Sequence, residues 1–273
     1  MQEIRINKDT QVCMSLAARP GNFGTRFHNF LYQELGLNYI YKAFTTRDLG
    51  AAIGGIRALG IRGCAISMPF KEACIQYLDE LDSSARGIMS VNTIVNSDGY
   101  LKGFNTDYTA VFTLIRSAGI PETTRFALRG SGGMAKAVAC ALMDAGFANG
   151  IIVARNETAG AALAEQYGFA WKRELENETP GLLINVTPIG MAGGTEADQL
   201  SFSEELIRAA QMVFDVVALP PETPLIRLAN KLGRKTISGA EVIALQAVEQ
   251  FVLYTGVRPE TELVKKAATF ASA

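Results

Sequence analysis

The chain has 273 residues, more than one hydrophobic core usually supports, and this length favours two domains. Hydrophobic residues make up 48% of the chain and charged residues 19%, which indicates a folded, soluble protein. Because 26 basic residues are balanced by 27 acidic ones, the net charge of −1 argues against nucleic acid or an anionic membrane as the main partner. No apolar run approaches the roughly 20 residues that span a bilayer. Residues 1–9 lack the apolar core of a secretory leader, so a cytoplasmic location is expected.

The cysteines and the histidine carry no metal or nucleophile motif. Four cysteines are scattered without a Cys-x-x-Cys pair: Cys13, Cys64, Cys74 and Cys140. Small or apolar neighbours surround each of them, which predicts buried free thiols in a reducing compartment. The single histidine, His28, has no partner motif for a metal site or a Ser-His-Asp triad, so no metal is expected.

The first part of the chain reads as alternating strands and helices. Leu49, Ile53 and Ile56 illustrate the helical spacing of apolar residues. The predicted elements are strand 10–18, helix 25–35, strand 39–44, helix 48–59, strand 61–67, a helix from Lys71 to about Leu78, and strands 90–96 and 100–104. A turn at residues 97–99 joins the last two strands into a hairpin. A capped helix then runs from residue 105 to Gly119.

The second part repeats the strand–helix pattern of a doubly wound parallel sheet. Its predicted elements are a strand from Arg125, a helix to about Ala145, strand 151–154, helix 158–167, strands 182–186 and 212–217, a helix after Pro224, and helices 241–254 and 260–271. Because no strand follows the last two helices, we expect them to pack back on the first domain.

A glycine-rich turn, Gly130-Ser131-Gly132-Gly133, lies between a predicted strand and a predicted helix. Glycines let the backbone approach a diphosphate, and the amides of the first helical turn point towards it. About 20 residues later, where an NAD site carries an acidic residue for the ribose hydroxyls, the chain has Ala154-Arg155-Asn156. An arginine there suits a 2′-phosphate, which favours NADP, although a solvated surface arginine is the alternative.

Several motifs in order carry a family resemblance. They are Ser67-Met68-Pro69-Phe70-Lys71, Ser90-Val91-Asn92-Thr93, Gly103-Phe104-Asn105-Thr106-Asp107, Gly130-Ser131-Gly132-Gly133, Asn185-Val186-Thr187-Pro188-Ile189-Gly190-Met191, Asp215-Val216-Val217 with Thr223-Pro224-Leu225, and Gly239 with Gln246. Each motif is unspecific alone. Together, in this order and spacing, they resemble the shikimate dehydrogenase family over nearly the whole chain.

The resemblance implies an α/β fold with two domains and a cleft between them. Residues 1–106 with 239–273 would form the substrate-binding domain, and residues 107–238 a Rossmann-like NADP-binding domain. The implied cofactor is NADP in preference to NAD, the partner is a small shikimate-like molecule, and the implied setting is aromatic amino acid biosynthesis. The sequence does not distinguish a monomer from a homodimer.

The family's functional positions transfer onto this sequence by motif. The implied cofactor contacts are Gly130, Ser131, Gly132, Gly133, Met134, Ala135, Arg155, Asn156, Thr187, Val216 and Gly239. The implied catalytic pair is Lys71 and Asp107, which would orient and relay the proton of a ring carbinol during hydride transfer. Because a lysine ammonium loses its proton only far above neutrality, we expect Lys71 to donate a proton in carbonyl reduction. A surface ion pair without a catalytic role is the alternative.

The implied substrate contacts include one departure from the family. Ser67, Asn92 and Gln246 match positions that bind ring hydroxyls, although each side chain also suits structural hydrogen bonding. At the loop before the first helix, the family's Ser-x-Ser pair for the substrate carboxylate is replaced by Asn22 and Gly24. Broken complementarity of this kind lowers kcat/KM by orders of magnitude. The Asn-x-Gly variation resembles the shikimate dehydrogenase-like branch, which implies slow oxidation of shikimate or a different ring substrate.

Two further positions have structural alternatives. Arg129 stands where an apolar residue usually precedes the first glycine, and it either adds charge near the cofactor phosphates or simply ends the strand. His28 matches a helix position without a chemical role in the family, so we expect it to pack or to cap.

Two other functions remain open from the sequence. The altered loop at Asn22 and Gly24 is also compatible with a regulatory protein that binds a metabolite or nucleotide without turnover. A two-domain enzyme that acts on a folate one-carbon adduct also uses a lysine near a cleft, although the motifs around Asn92 and Asp107 favour the shikimate family.

Overall fold

A computed structural model describes residues 6–272 of the chain. Residues 1–5 and 273 lie outside the described residues. The prediction of no secretory leader rests on residues 1–9, so most of that segment lies outside them too. The chain divides into two compact units. One is formed by the chain up to Thr106 and from Ala244 onward, and the other by Asp107–Ile243.

The first unit is an α/β sandwich built on a mixed sheet. Its elements are β1 (Gln11–Leu16), α1 (Phe23–Glu34), β2 (Tyr39–Phe44), α2 (Leu49–Ala58), β3 (Gly63–Ile66), α3 (Phe70–Ala73), β4 (Glu80–Leu81), α4 (Ser83–Arg86), β5 (Thr93–Ser97), β6 (Tyr100–Phe104), most of α10 (Gly239–Thr255) and α11 (Thr261–Ser272). The strand order is β2-β1-β3-β5-β6-β4. β1, β2 and β3 are parallel, whereas β5 runs antiparallel to β3 and β6.

Apolar residues cover both faces of this sheet. Phe27 and Leu31 of α1 pack with Phe251 of α10 on one face, and Ile53 and Ile56 of α2 pack on the other. α11 packs against α1, so the prediction that the C-terminal helices return to the first domain's elements is confirmed. The four cysteines are buried free thiols, as predicted.

The second unit is a doubly wound parallel sheet. Its elements are α5 (Thr106–Ser117), β7 (Phe126–Arg129), α6 (Gly133–Asp144), β8 (Gly150–Val153), α7 (Glu157–Tyr167), β9 (Ala170–Lys172), β10 (Leu182–Asn185), α8 (Glu204–Ala209), β11 (Met212–Asp215), α9 (Pro224–Lys231) and β12 (Lys235–Ile237). The strand order is β12-β11-β10-β7-β8-β9, with every pair parallel. The order reverses beside β7, which is the arrangement of a dinucleotide-binding fold. The predicted fold class is confirmed.

Some predicted elements were wrong in extent or missed. The helix predicted from Lys71 to Leu78 is interrupted: α3 ends at Ala73, and a 3-10 turn occupies Ile75–Tyr77. The strand predicted at 90–96 begins only at Thr93. The short strands β4, β9 and β12 and the helices α4 and α8 were missed, because two to six residues give too little periodicity.

His28 is a packing residue inside the first unit. It is fully buried, and its ring stacks on that of Tyr41 with centroids 4.5 Å apart. Burial lowers the pKa of His28 from its ordinary 6.5 to about 3, and the nearby Gln250 offsets only a small part of this shift. The Gln250 amide does not hydrogen-bond the ring; it donates to the Asn92 carbonyl oxygen and to the Thr93 hydroxyl. The folded protein therefore holds a neutral imidazole in its core.

We expect acid to destabilise the protein partly through His28. The unfolded chain binds a proton on this ring below about pH 6.5, whereas the folded chain does not do so until about pH 3. The free energy of unfolding should fall by up to about 1.4 kcal/mol per pH unit across this window from this group alone. Urea unfolding of the wild type and of His28→Phe from pH 7 to pH 4 measures the difference. Identical pH slopes in the two proteins would contradict this prediction, and His28→Leu serves as a second variant.

Candidate functional site

The glycine-rich turn lies where β7 ends at the carboxyl edge of the second sheet. Gly130 has φ +126°, and a β-carbon there would lie 2.7 Å from a Val186 methyl, so only glycine fits. Nothing lies within 4 Å of the β-carbon positions of Gly132 and Gly133. Gly132 precedes α6 and has no side chain with which to cap that helix. An open backbone cradle at a helix N-terminus fits a diphosphate.

The remaining residues of this turn form its walls. Ser131 and Met134 are half-buried, whereas Ala135 is buried under the first turn of α6. Small side chains here let the helix approach the sheet closely.

The end of β8 presents an arginine to solvent. The Arg155 side chain is 70% exposed, and its guanidinium lies 3.7 Å from the Glu196 carboxylate. Asn156 has a structural role, because its Oδ1 accepts a hydrogen bond from the Ala159 amide at 3.0 Å and caps α7.

A buried carboxylate ties the ends of β10 and β11 together. Asp215 accepts hydrogen bonds from the Asn185 amide at 3.0 Å, the Thr223 hydroxyl at 2.6 Å and the Val217 backbone N–H at 3.1 Å. Asn185 in turn accepts from the Thr187 hydroxyl at 2.6 Å. Burial raises the pKa of Asp215, while these donors act in the opposite direction. The network holds the loop that begins at Thr187 in one conformation.

Two more predicted cofactor contacts lie at this carboxyl edge. The Val216 backbone N–H donates to the Asn185 carbonyl oxygen at 3.0 Å. Gly239 starts α10 immediately beside Val216, and a β-carbon there would collide with the backbone of Val216 and Val217. Glycine at this position is therefore required by the packing of α10 on the chain after β11, independently of the predicted cofactor contact.

In the first unit, Asn92 is held by its oxygen and leaves its nitrogen unused. Oδ1 accepts from the Thr106 backbone N–H at 2.8 Å, the Thr106 hydroxyl at 3.1 Å and the Thr93 hydroxyl at 2.9 Å. These three donors fix the amide orientation. The Nδ2 atom is buried and has no hydrogen-bond partner within the described part of the chain. Buried donors normally have an acceptor, so an unpaired Nδ2 is unusual in a protein interior.

Lys71 and Ser67 lie beside Asn92. Asn92 accepts the Ile66 N–H at 2.7 Å through its carbonyl oxygen, and Lys71 accepts the Val91 N–H at 2.8 Å. The Ser67 backbone N–H donates to the Leu16 carbonyl oxygen at 2.9 Å, and the Ser67 side chain is exposed. The end of β3, the start of α3 and the turn before β5 thus bring these three residues together.

Gln246 lies one turn before Gln250 on the same face of α10, because helical residues four apart share a face. Gln246 is half-buried. The buried structural amide on this helix is Gln250, which contacts Asn92 and Thr93. Gln246 therefore lies on the helix face that contacts Asn92, whereas Gln250 makes the hydrogen bonds to Asn92 and Thr93.

The loop that departs from the family pattern opens α1. Asn22 is exposed and makes no side-chain cap on the helix. Gly24 lies in the first turn of α1, and a β-carbon there would lie 3.4 Å from the Tyr41 hydroxyl oxygen. A β-carbon at this position would therefore make only an ordinary van der Waals contact.

Asp107 is half-buried in the first turn of α5. It directly follows Thr106, whose N–H and hydroxyl are bound by Asn92. The chain passes from the first unit to the second between Thr106 and Asp107.

Sequence reasoning missed several supporting residues. Thr93, Thr106, Gln250 and Thr223 make the hydrogen bonds that fix Asn92 and Asp215. All four are buried polar residues. A polar residue inside an apolar stretch of sequence is the pattern that could have predicted this structural role. Only the fold shows which of them pair.

Two kinds of feature are not found in residues 6–272. No group of three or more histidine, cysteine or acidic side chains is arranged to hold a metal ion. Within the same described range, every helix is too short or too polar to cross a membrane.

Comparison with known proteins identifies the family. A family profile described as the shikimate dehydrogenase substrate binding domain matches residues 23–94. The shikimate dehydrogenase-like protein of Haemophilus influenzae is 57% identical over 266 residues, which cover 97% of this chain and 98% of that protein.

Solved structures show the same fold. A shikimate 5-dehydrogenase-like protein is similar with a TM-score of 0.98 and 56% identity, over 98% of this chain and 100% of that one. Shikimate 5-dehydrogenase from Thermus thermophilus, in complex with NADP(H) and shikimate, has a TM-score of 0.84 and 29% identity, covering 96% and 99%. Proteins of this family bind NADP or NAD. From these similarities over nearly its full length, the chain belongs to the shikimate dehydrogenase family.

Proposed function

We propose that the chain is an NADP-dependent oxidoreductase of a hydroxylated ring carboxylate. It interconverts the ring alcohol and its 3-dehydro form by hydride transfer, with shikimate itself a slow substrate. The part of the chain up to Thr106 and from about residue 239 onward binds the ring, and the part between binds the nucleotide. Membership of a family whose members bind NADP or NAD supports this proposal. No observation favours the folate alternative.

The buried Nδ2 of Asn92 is the observation that carries the proposal. A polar group left without a partner in a protein interior costs about 1–3 kcal/mol, and a hydroxyl or carbonyl oxygen of a ligand would remove that cost. The Lys71 carbonyl oxygen accepts the N–H of Val91, the residue before Asn92. We assign Asn92, Ser67 and Gln246 to the ring hydroxyls on this basis.

The second sheet supplies the nucleotide contacts in this proposal. The open backbone of Gly132 and Gly133 at the start of α6 binds the diphosphate, and Arg155 binds the 2′-phosphate. The Thr187 loop and Val216, both held by the Asp215 network, line the nicotinamide end. When bound, the nicotinamide supplies the hydride acceptor or donor.

Lys71 and Asp107 handle the proton in this proposal. The Lys71 ammonium donates a hydrogen bond to the reacting oxygen and gives it a proton in carbonyl reduction. Asp107 orients the ammonium and offsets its positive charge. A positioned acid or base of this kind contributes about 10²–10⁴-fold to a rate.

We expect Lys71→Met to lower kcat by about 10²–10⁴-fold with the Kd for NADP changed less than about twofold, because the proton donor is lost and the nucleotide contacts remain. NADPH absorbance with shikimate and quinate measures turnover, and isothermal titration calorimetry measures the Kd. Lys231→Met, at the exposed end of α9, is the matched control.

Retained turnover in Lys71→Met would remove Lys71 from the chemistry. Asp107→Asn should also lose turnover while it binds NADP normally. Failure of the unsubstituted protein to bind any nicotinamide nucleotide would overturn the proposed function as a whole.

A second candidate function, a metabolite-binding regulatory protein without turnover, is favoured by the loop at the start of α1. Neither Asn22 nor Gly24 has the hydroxyl that the family pattern uses for the substrate carboxylate. Robust turnover of any small ring alcohol excludes this candidate.

The double substitution Asn22→Ser with Gly24→Ser tests how much this loop lowers kcat/KM for shikimate. A β-carbon at Gly24 would lie 3.4 Å from the Tyr41 hydroxyl oxygen, so the substitution causes no clash at that atom. We expect kcat/KM for shikimate to rise by at least about tenfold, with the rate for ring alcohols that lack a carboxylate unchanged. An unchanged kcat/KM for shikimate would show that the loop does not limit activity. Asn38→Ser, in an exposed turn, controls for the exchange itself.

A further inference from the structure

The residue before the glycine-rich turn makes an ion pair that the family resemblance does not explain. Arg129 ends β7, and its two terminal nitrogens donate to the two carboxylate oxygens of Glu174 at 3.0 and 2.6 Å. The guanidinium also lies over the Phe202 ring, 5.1 Å from its centroid. The Arg129 side chain is only 15% exposed, whereas that of Glu174 is 55% exposed. A well-held arginine thus fixes a carboxylate that faces solvent.

The sheet order locates this carboxylate. β8 lies between β7, which ends at Arg129, and β9, which ends at Lys172 two residues before Glu174. A bridge from Arg129 to Glu174 therefore crosses the carboxyl end of β8. That end is where the chain continues into Arg155, the residue assigned to the 2′-phosphate.

A carboxylate at the end of this strand has a known chemical consequence. NAD-binding folds use an acidic side chain there to accept hydrogen bonds from the ribose hydroxyls, and such a side chain repels a 2′-phosphate. The end of β8 itself has Ala154, Arg155 and Asn156, and the first acidic residue after them, Glu157, lies in the first turn of α7. Glu174 supplies a carboxylate at the same edge from the next strand.

Charges around Glu174 keep it ionised. The Arg129 guanidinium holds the pKa of the Glu174 carboxyl below its usual range, and Arg155 and Arg173 act in the same direction at longer range. Arg155 has its own acidic neighbour, Glu196, at 3.7 Å. Arg129 and Arg155 thus each face a carboxylate.

We propose that Glu174, positioned by Arg129, is a specificity-determining residue at the ribose end of the nucleotide site. It accepts hydrogen bonds from the ribose hydroxyls and opposes the 2′-phosphate that Arg155 attracts, so the chain binds NAD as well as NADP. This inference rests on the proposed function, because it assumes that the nucleotide binds at the Gly130 turn. Arg129 is a positioning residue that acts through Glu174.

The surface around Glu174 is exposed to solvent. An open groove at this edge is lined by Trp171, Lys172, Arg173, Glu174 and Glu176. Within it, Glu176 is also exposed and lies two residues beyond Glu174. Glu176 therefore offers a control with the same charge and similar surroundings but without the Arg129 contact.

The test compares nucleotides that differ only in the 2′-phosphate. Isothermal titration calorimetry gives the Kd of the full chain for 5′-AMP and adenosine 2′,5′-bisphosphate, and for NAD and NADP. We expect Glu174→Gln to shift the ratio of Kd values towards the 2′-phosphorylated nucleotides by about tenfold or more, because one ionic acceptor is lost and one repulsion removed. Glu176→Gln should change the ratio less than about twofold.

Three results would overturn the inference. The first is binding of both nucleotide types to Glu174→Gln with an unchanged ratio. The second is an equal shift in Glu176→Gln, which would indicate general surface charge. The third is no binding of any nucleotide to the unsubstituted chain, which overturns the proposed function too, whereas the first two leave the proposed function intact.

A double-mutant cycle tests the role of Arg129. In an Arg129→Leu background, Glu174 loses its fixed geometry, so Glu174→Gln should change the ratio of Kd values less than about threefold. An undiminished effect of Glu174→Gln in that background would remove Arg129 from its positioning role. Because Glu174 is exposed, the single Glu174→Gln variant is informative even if Arg129→Leu folds poorly.

Discussion

Three hydrogen bonds to one buried carboxylate fix the carboxyl edge of the second sheet. Asp215 binds side chains or backbone from β10, from the chain after β11 and from the start of α9. Without these donors a buried carboxylate would be costly, and without the carboxylate the Thr223 hydroxyl and the Val217 N–H would lose this acceptor. The Thr187 loop and Val216 therefore have defined positions before any ligand arrives, as preorganised binding requires.

In the first unit, hydrogen bonds also fix the side chain of Asn92, but its Nδ2 atom makes none of them. Its oxygen accepts from three donors of Thr93 and Thr106, and its nitrogen has no partner within residues 6–272. Buried polar residues thus hold Asn92 in the first unit and the Thr187 loop and Val216 in the second.

Much of the fold and part of the site follow from sequence. Long alternating or helical patterns predicted β2 and β6 with their correct bounds, and the strand–turn–helix around Gly130 predicted the parallel sheet. β9 and β12 were missed because three residues have no readable period. The partnership of Arg129 with Glu174, 45 residues apart, depends on β8 lying between their strands. No local pattern encodes such a contact.

The proposed nucleotide site is tested most directly by hydrogen–deuterium exchange of the full chain with and without saturating NADP. We expect slower exchange in peptides that cover residues 130–136 and 154–157, because in our proposal the nucleotide binds the backbone of the Gly130 turn and the end of β8. Exchange at residues 148–150, which lie at the opposite edge of the same sheet, should not change. Protection absent from the Gly130 turn, or confined to other segments, would contradict the proposed site.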